Sequence, residues 1–283
     1  MPLSIRKALI VYCSPAGSTE HVARVMETKL RAREMPVILL DLGREPDIPF
    51  VLSQLPAARD NICLFIGSPV YTSQPVPPVM AFLRGLPVAR RGYAVPFVTW
   101  GGVTSGIALY LMGKELEERG YALLGAAKVL ARHSVMWNCA DPVGKGHPDG
   151  EDDRMIEELT DIVGAKLDLS DPPTTPLADL DYQPRETRDL MSTLGIEAVK
   201  DQMPEKKLDM ERCTGCAICA ESCPVDAIQL VPYPEIGPSC IHCWNCVRLC
   251  PEEALTVDLT PNYARIKAMK ARFQEPDGTR IFT

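Results

Sequence analysis

Positive charge is scarce in this sequence. Its 30 lysines and arginines face 37 aspartates and glutamates, for a formal net charge of −7 and a pI near 5.3. Phosphate backbones are bound by basic faces, so this balance argues against nucleic acid as the main partner. A recognisable secretory leader is also lacking. The eleven cysteines are therefore expected to stay reduced in the cytoplasm, available for metal chemistry. Long apolar runs are scarce too. Tyr93–Gly113 is free of charge over 21 residues, yet it contains Pro96, Gly101, Gly102, Thr104, Ser105 and Gly106. A strand, a loop and the start of a helix explain it better than a membrane span, and none is expected. What remains is ordinary: 283 residues, 46% hydrophobic, mean hydropathy −0.03, enough for two domains or one with an appendage.

Eight of the cysteines are concentrated between Cys213 and Cys250. Cys213, Cys216, Cys219 and Cys223 are spaced C-x2-C-x2-C-x3-C, with Pro224 following. Cys240, Cys243, Cys246 and Cys250 repeat the spacing, with Pro251 following. This is the spacing of the bacterial ferredoxin run, in which the fourth cysteine serves the other cluster. Three close cysteines can reach three corners of one cubane, while the fourth points away. The expected sets are Cys213, Cys216, Cys219 and Cys250 for one 4Fe–4S cluster, and Cys240, Cys243, Cys246 and Cys223 for the second. Four disulfides would require an oxidising compartment. Zinc sites usually use paired C-x2-C or mixed Cys/His sets, which leaves the two triplets unexplained.

The first half alternates strand and helix patterns. Strands are expected at Ala8–Cys13, Val37–Asp41, Asn61–Gly67, Ala94–Trp100 and Ala126–His133. Helices are expected at His21–Glu34, Phe50–Arg59, Pro78–Arg84, Ser105–Arg119 and Glu151–Leu167. This order predicts a doubly wound α/β fold with a five-stranded parallel sheet, whose ligands sit at the carboxyl ends of the strands. Three loops lie there. Ser14-Pro15-Ala16-Gly17-Ser18-Thr19 joins a strand to a helix start, whose unpaired N–H groups and positive dipole end suit a phosphate. It lacks the lysine of a nucleoside-triphosphate loop and the three spaced glycines of a dinucleotide loop, so it suits a terminal phosphomonoester. A plain capped helix start is its bland reading. Ser68-Pro69-Val70-Tyr71 and Thr99-Trp100-Gly101-Gly102 each set an aromatic beside small residues, as a flat flavin ring requires. Taken singly, Tyr71 and Trp100 also fit a core or rim role.

On these motifs the first ~165 residues resemble a flavodoxin, by their order of elements. Ser14–Thr19 resembles the flavodoxin phosphate loop S/T-x-T-G-x-T, departing at Ala16, where that family usually has threonine. Gly67–Tyr71 and Thr99–Gly102 resemble its two flavin loops. The whole chain resembles the fused flavodoxin–ferredoxin proteins of anaerobes (EFR-type ferredoxins). The resemblance implies FMN in a flavodoxin-like domain, residues 1–167, and two 4Fe–4S clusters in a small α+β ferredoxin-like domain, residues 205–260.

Between them, residues 168–204 read as a proline-rich segment followed by a helix over Arg185–Met203, a linker long enough to return the clusters to the flavin edge within one subunit or across a homodimer. Residues 261–283 read as a basic helix, Asn262–Phe273, and a tail; that helix is either a solvated face or a contact with a partner or domain. Cys13, Cys63 and Cys139 are expected as small packed side chains, and His133 and His147 as structural. His242 and Trp244, between cluster ligands, fit packing or cluster tuning. The expected function is electron transfer between FMN, the clusters and redox partner proteins, with no residue needed as acid, base or nucleophile. Alternatives are an FMN-dependent reductase of a small molecule fed by the clusters, and a redox sensor.

Overall fold

The computed structural model of the protein describes residues 7–44, 49, 52, 62–89 and 92–283. Its frame is a twisted sheet. The strands are β1 (Lys7–Tyr12), β2 (Val37–Asp41), β3 (Ile62–Tyr71), β4 (Gln74–Pro75), β5 (Gly92–Trp100), β6 (Tyr121–Leu123) and β7 (Ala126–Leu130). The main path runs β2-β1-β3-β5-β7, parallel throughout. This is the flavodoxin-like doubly wound order, with its switch point between β1 and β3. The expected helix at Phe50–Arg59 falls almost entirely outside the described residues. The strand expected over Ala126–His133 stops at Leu130.

The apolar runs explain why these strands are central. Along β1, Leu9 and Val11 face one side while Ala8, Ile10 and Tyr12 face the other, all buried. A strand covered on both faces needs such a run. Helices α1 (Ser18–Ala32) and α4 (Gly150–Leu167) cover one face through Val22, Met26, Leu30, Ile156, Leu159 and Val163. Helices α2 (Pro77–Gly85) and α3 (Ala108–Glu118) cover the other through Val79, Phe82, Leu109 and Met112. The charge-free stretch Tyr93–Gly113 divides into β5, a loop and the start of α3. No helix among the described residues is long and apolar enough to cross a membrane.

The five-stranded parallel path is as expected, and the sheet extends beyond it. Arg280–Phe282 returns from the far end of the chain and pairs antiparallel with β7, covering an edge that would otherwise expose unpaired backbone groups. Arg185–Met203 is not one helix. It breaks into Arg185–Ser192, Ile196–Val199 and a short turn at Lys200–Gln202, with Gly195, a poor helix former, at the break.

The cysteine-rich segment is built of two short antiparallel pairs, Ile228–Leu230 with Pro234–Ile236 and Lys207–Leu208 with Leu255–Thr256. Its own core is small: Cys223, Ala227, Ile228, Cys246 and Leu255 are its buried members. Much of its support comes from the sheet domain. Ile241 is buried within the core of the α2/α3 face, and Val225 and Cys243 pack against it. The helix Thr260–Phe273 makes an inter-domain contact, burying Ile266 beside Val103, Met136 and Val143.

One buried ion pair ties these returns together. Lys128 on β7 and Glu275 on the tail meet at 2.5 Å, their side chains 7% and 8% exposed. Glu275 also accepts from the Ser105 N–H at 2.8 Å, the Thr104 hydroxyl at 2.9 Å and Gln183 Nε2 at 3.0 Å. Tyr182 bonds the Ser105 hydroxyl at 2.8 Å. Burial alone would push the Glu275 carboxyl up. Lys128 and the hydrogen bonds outweigh it, so the group lies below its ordinary value. Removing one member strands a buried charge. Glu275→Ala is expected to cost about 3 kcal/mol in unfolding free energy, and Lys128→Met/Glu275→Leu much less, by denaturant titration. Because the folded value is lowered, the pair's contribution is complete above the ordinary 4.5 and is lost as pH falls through the lowered value.

Candidate functional site

The eight clustered cysteines divide between two cavities. Cys213, Cys216, Cys219 and Cys250 line one of about 370 Å³. Cys223, Cys240, Cys243 and Cys246 line another of about 290 Å³. The fourth cysteine of each run thus faces the other run's triplet. The two halves use the same backbone. Gly215 and His242, Ala217 and Trp244, and Asp226 and Glu253 all adopt positive φ at matching positions. His242 and Trp244 do so although bulky residues rarely enter that region. Cys223 Sγ accepts the Ala227 N–H at 3.2 Å, and Cys250 Sγ accepts the Ala254 N–H at 3.3 Å.

The spacing of the sulfurs bears on what they hold. All eleven cysteines are free thiols. Among the described residues, one trio of His, Cys, Asp or Glu brings its ligand atoms within 4.8 Å of one another: His147, Asp149 and Asp152, with no cysteine among them. A tetrahedral zinc with Zn–S bonds near 2.3 Å holds its sulfurs about 3.8 Å apart. Among the described residues, no three of the clustered sulfurs come within 4.8 Å of one another. Burial pushes the Cys243 thiol up to about 11 and the Cys246 thiol up to about 12. Thiolates there need a compensating cation or metal. Lys206 offers one charge: its Nζ lies 3.4 Å from Cys240 Sγ and 4.4 Å from the centre of the Trp244 ring. Trp244 is 2% exposed and walls this second cavity.

The strand-end loops form a cleft of about 400 Å³. Ala16, Ser18, Thr19, Pro69, Val70, Tyr71, Thr99, Trp100 and Gly101 line it, joined by Arg132, His133 and Ser134. Gly17, at φ +89°, turns the chain from β1 into α1, leaving the first-turn N–H groups of Ser18 and Thr19 without partners inside the helix. Ser14 has a local task, its hydroxyl accepting the Glu20 N–H at 2.8 Å. Ser14, Pro15 and Gly17 line a separate cavity on the outer side of the loop. Ser68 and Gly102 line neither. The Ser68 hydroxyl is committed to Pro69 O and the Val76 N–H. Thr19 and Thr99 share a buried hydrogen bond of 2.8 Å. Trp100 is 1% exposed and lies under Lys128 Nζ, 4.8 Å from its ring centre, so it is mostly a core residue.

The cleft opens into a larger cavity of about 1280 Å³, sharing Val70, Tyr71, Gly101, His133 and Ser134 with it. Leu194, Val199 and Met203 of the connection, Ile241, His242 and Trp244 of the cysteine segment, and Ile266 and Met269 of the C-terminal helix complete its walls. Buried polar atoms without partners among the described residues gather on residues lining it: His133 Nδ1, His242 Nδ1 and Trp244 Nε1. Such atoms mark a polar occupant. Burial raises the Tyr71 phenol above its ordinary range, and Cys243 nearby adds to the shift. Cys13 at the end of β1 is raised by burial, then by Asp41 and by the same Cys243. Arg248, between Cys246 and Cys250, donates to Pro15 O at 2.5 Å, fastening the cysteine segment to the first loop.

His133, expected as structural, lines both cavities, and Arg132 lines the cleft, while neither Arg132 nor Arg248 stands out in the sequence. The strand-end rule would have found His133 and Arg132 had it been applied to the loop after β7 as well. Arg248 carried no signal, since its partner is a backbone carbonyl remote in sequence. Cys13 and Cys63 are buried packing residues, Cys139 is half-buried beside Tyr263, and His147 hydrogen-bonds Asp152 at 2.7 Å.

Comparison with known proteins places one segment in a family. Residues 206–229 match the 4Fe-4S binding domain family, Fer4, so this part of the chain is of iron–sulfur ferredoxin type. A search of curated proteins returns no match. Among solved structures, rubredoxin oxygen:oxidoreductase from the anaerobe Desulfovibrio gigas is similar at 19% identity and TM-score 0.46, over 58% of this chain and 37% of that one. A flavodoxin from the domain Archaea is similar at 19% identity and TM-score 0.43, over 58% of this chain and 99% of that one. Flavodoxin 1 from Bacillus cereus gives 17% identity and TM-score 0.44, over 56% and 97%. At these scores the fold assignment rests on the strand order.

His133 is held near pKa 4 by burial, well under its ordinary 6.5. Its folded value is lowered, so acid favours the unfolded chain. Stability linked to it is complete above pH 6.5 and is lost as pH falls toward 4. His133→Phe is expected to flatten this part of the stability profile, measured by urea midpoints from pH 7 to 4.

Proposed function

We propose that this protein is an electron-transfer flavo-iron–sulfur protein of the fused flavodoxin–ferredoxin type, working in the reducing cytoplasm. FMN would lie with its phosphate at Ser14–Thr19, its chain along the cleft and its ring in the larger cavity. Of the predicted loop residues, Ala16, Ser18, Thr19, Pro69, Val70, Tyr71, Thr99, Trp100 and Gly101 line that path. Cys213, Cys216, Cys219 and Cys250 would hold one 4Fe–4S cluster, and Cys223, Cys240, Cys243 and Cys246 the other. The observation that carries the reading is the shared cavity: the flavin-type loops and the segment Ile241–Trp244, beside ligand Cys243, wall the same space.

When bound, FMN supplies a centre that takes two electrons, where each cluster takes one at a time. The chain positions and shields these centres. The walls from Leu194–Met203 and Ile266–Met269 keep bulk water from the ring site. Arg248 holds the cysteine segment on the first loop. Neutral His133 places a hydrogen-bonding nitrogen beside the ring site without adding charge. As domains, residues 1–167 and 205–260 remain the working division, with the tail strand belonging to the first. The size of the cavity also favours a second reading, in which a small molecule enters beside the flavin and is reduced there.

Anaerobic purification followed by iron, sulfide and flavin analysis tests the first reading. About eight irons and one FMN per chain are expected for two cubanes, with flavin and clusters reduced in a shared titration. Iron without flavin would sink it. Steady turnover with a pure small-molecule acceptor would select the second reading. The crossed ligand sets have their own test. Cys250→Ser is expected to disturb the centre at Cys213–Cys219, and Cys223→Ser the one at Cys240–Cys246, with distinct EPR signals lost in the two variants.

A further inference from the structure

The two cysteine sets are not equivalently placed. Resting on the reading above, we propose that the Cys213/Cys216/Cys219/Cys250 centre is the electron port for proteins. The Cys223/Cys240/Cys243/Cys246 centre is then the relay to the flavin, and the flavin itself is closed to protein partners.

Three observations carry this. The second set lies on the flavin side. Ile241 and Trp244 line both its cavity and the flavin-side cavity, and Cys243 packs against the α2/α3-face core that holds Ile241. Among the described residues, none that lines the first set's cavity lines the flavin-side one. The first set lies outward. Cys216 is exposed, whereas Cys223 and Cys246 are buried. Finally, the flavin-side cavity is roofed by the connection and the C-terminal helix, pinned through Glu275 and by Gln74 Nε2, which donates to Met191 O at 3.2 Å. A small molecule can enter such a space; a protein surface cannot.

The outward face also indicates its partner. Met210 and Val231, 60% and 65% exposed, each lie within two residues of a leucine lining the first cavity, so both present apolar surface close to it. Exposed Glu211, Glu252 and Glu253 stand close in sequence to Cys213 and Cys250. Residues 205–259 carry nine acidic and four basic side chains, before the charge of any thiolate is added. The fitting occupant is a one-electron redox protein whose own site is rimmed by basic residues. A cluster held by Cys213, Cys216, Cys219 and Cys250 would supply one-electron chemistry, each passage taking one electron from a reduced partner with no bond made or broken. Two such passages, with two protons from solvent, would balance the two-electron reduction of a flavin held at the strand-end loops.

The test uses the anaerobically purified, fully loaded protein, reduced and mixed with cytochrome c, a basic one-electron acceptor. Glu211→Lys/Glu252→Lys is expected to slow cytochrome c reduction on the order of tenfold at low ionic strength. Glu117→Lys/Glu118→Lys, at the opposite end of the sheet, is expected to leave it unchanged. If the lysine pair loses iron, Glu211→Gln/Glu252→Gln is expected to slow the reaction to a smaller degree at full iron content. Equal rates in port and control variants would overturn the proposal. A second measurement removes the flavin while retaining iron. An unchanged rate supports a port at the first cluster, and a rate that collapses moves the port to the flavin. Iron and flavin counts on the starting protein report separately on the reading beneath it.

Discussion

The pairing of Lys128 with Glu275 is the interaction on which the working arrangement depends. A buried ion pair is poor value as a source of stability, because desolvation offsets most of the attraction. Its worth here is geometric. Lys128 belongs to the last parallel strand, Glu275 to the returning tail, Gln183 to the connection and Ser105 to a strand-end loop. One carboxylate therefore sets the relative position of four segments far apart in sequence. An apolar contact could bury the same area, but it would not specify which loop meets which tail.

That fixed arrangement resolves a geometric problem of the fold. The final helix of a doubly wound sheet carries the chain away from the ligand end. A second redox unit attached there directly would stand far from the strand-end loops. The connection returns the chain in broken pieces rather than along one rod, and in doing so supplies Leu194, Val199 and Met203 to the cavity wall. The same residues that span the gap thus also exclude water. The cysteine segment, with too few apolar residues for an independent core, gains support through Ile241 and Arg248.

Much of the fold was legible because its signals are local. The run Ala8–Tyr12 is apolar at every position, and only a strand covered on both faces uses such a run. The doubled cysteine spacing points to iron–sulfur chemistry, and Cys223 and Cys250 each line the cavity of the other triplet. Other features depended on partners remote in sequence. The strand at Arg280–Phe282 lacks a pattern of its own and exists because β7 presents an open edge. The break at Gly195 interrupts a helix whose apolar face was weak. Trp100 lines the strand-end cleft as its position suggests, and its burial under Lys128 depends on a residue remote in sequence. Nothing about His133 in sequence announced that a cavity from three other segments would close around it.

The pairing of the tail with β7 has a consequence for biogenesis. The ribosome releases all eight clustered cysteines before it releases Glu275 and Arg280–Phe282. Until those residues emerge, the sheet keeps an open edge and the roof over the strand-end loops lacks its fastening. The strand-end cleft therefore stays open until that segment emerges and pairs with β7. Closure of the site is thus coupled to the emergence of Glu275 and Arg280–Phe282.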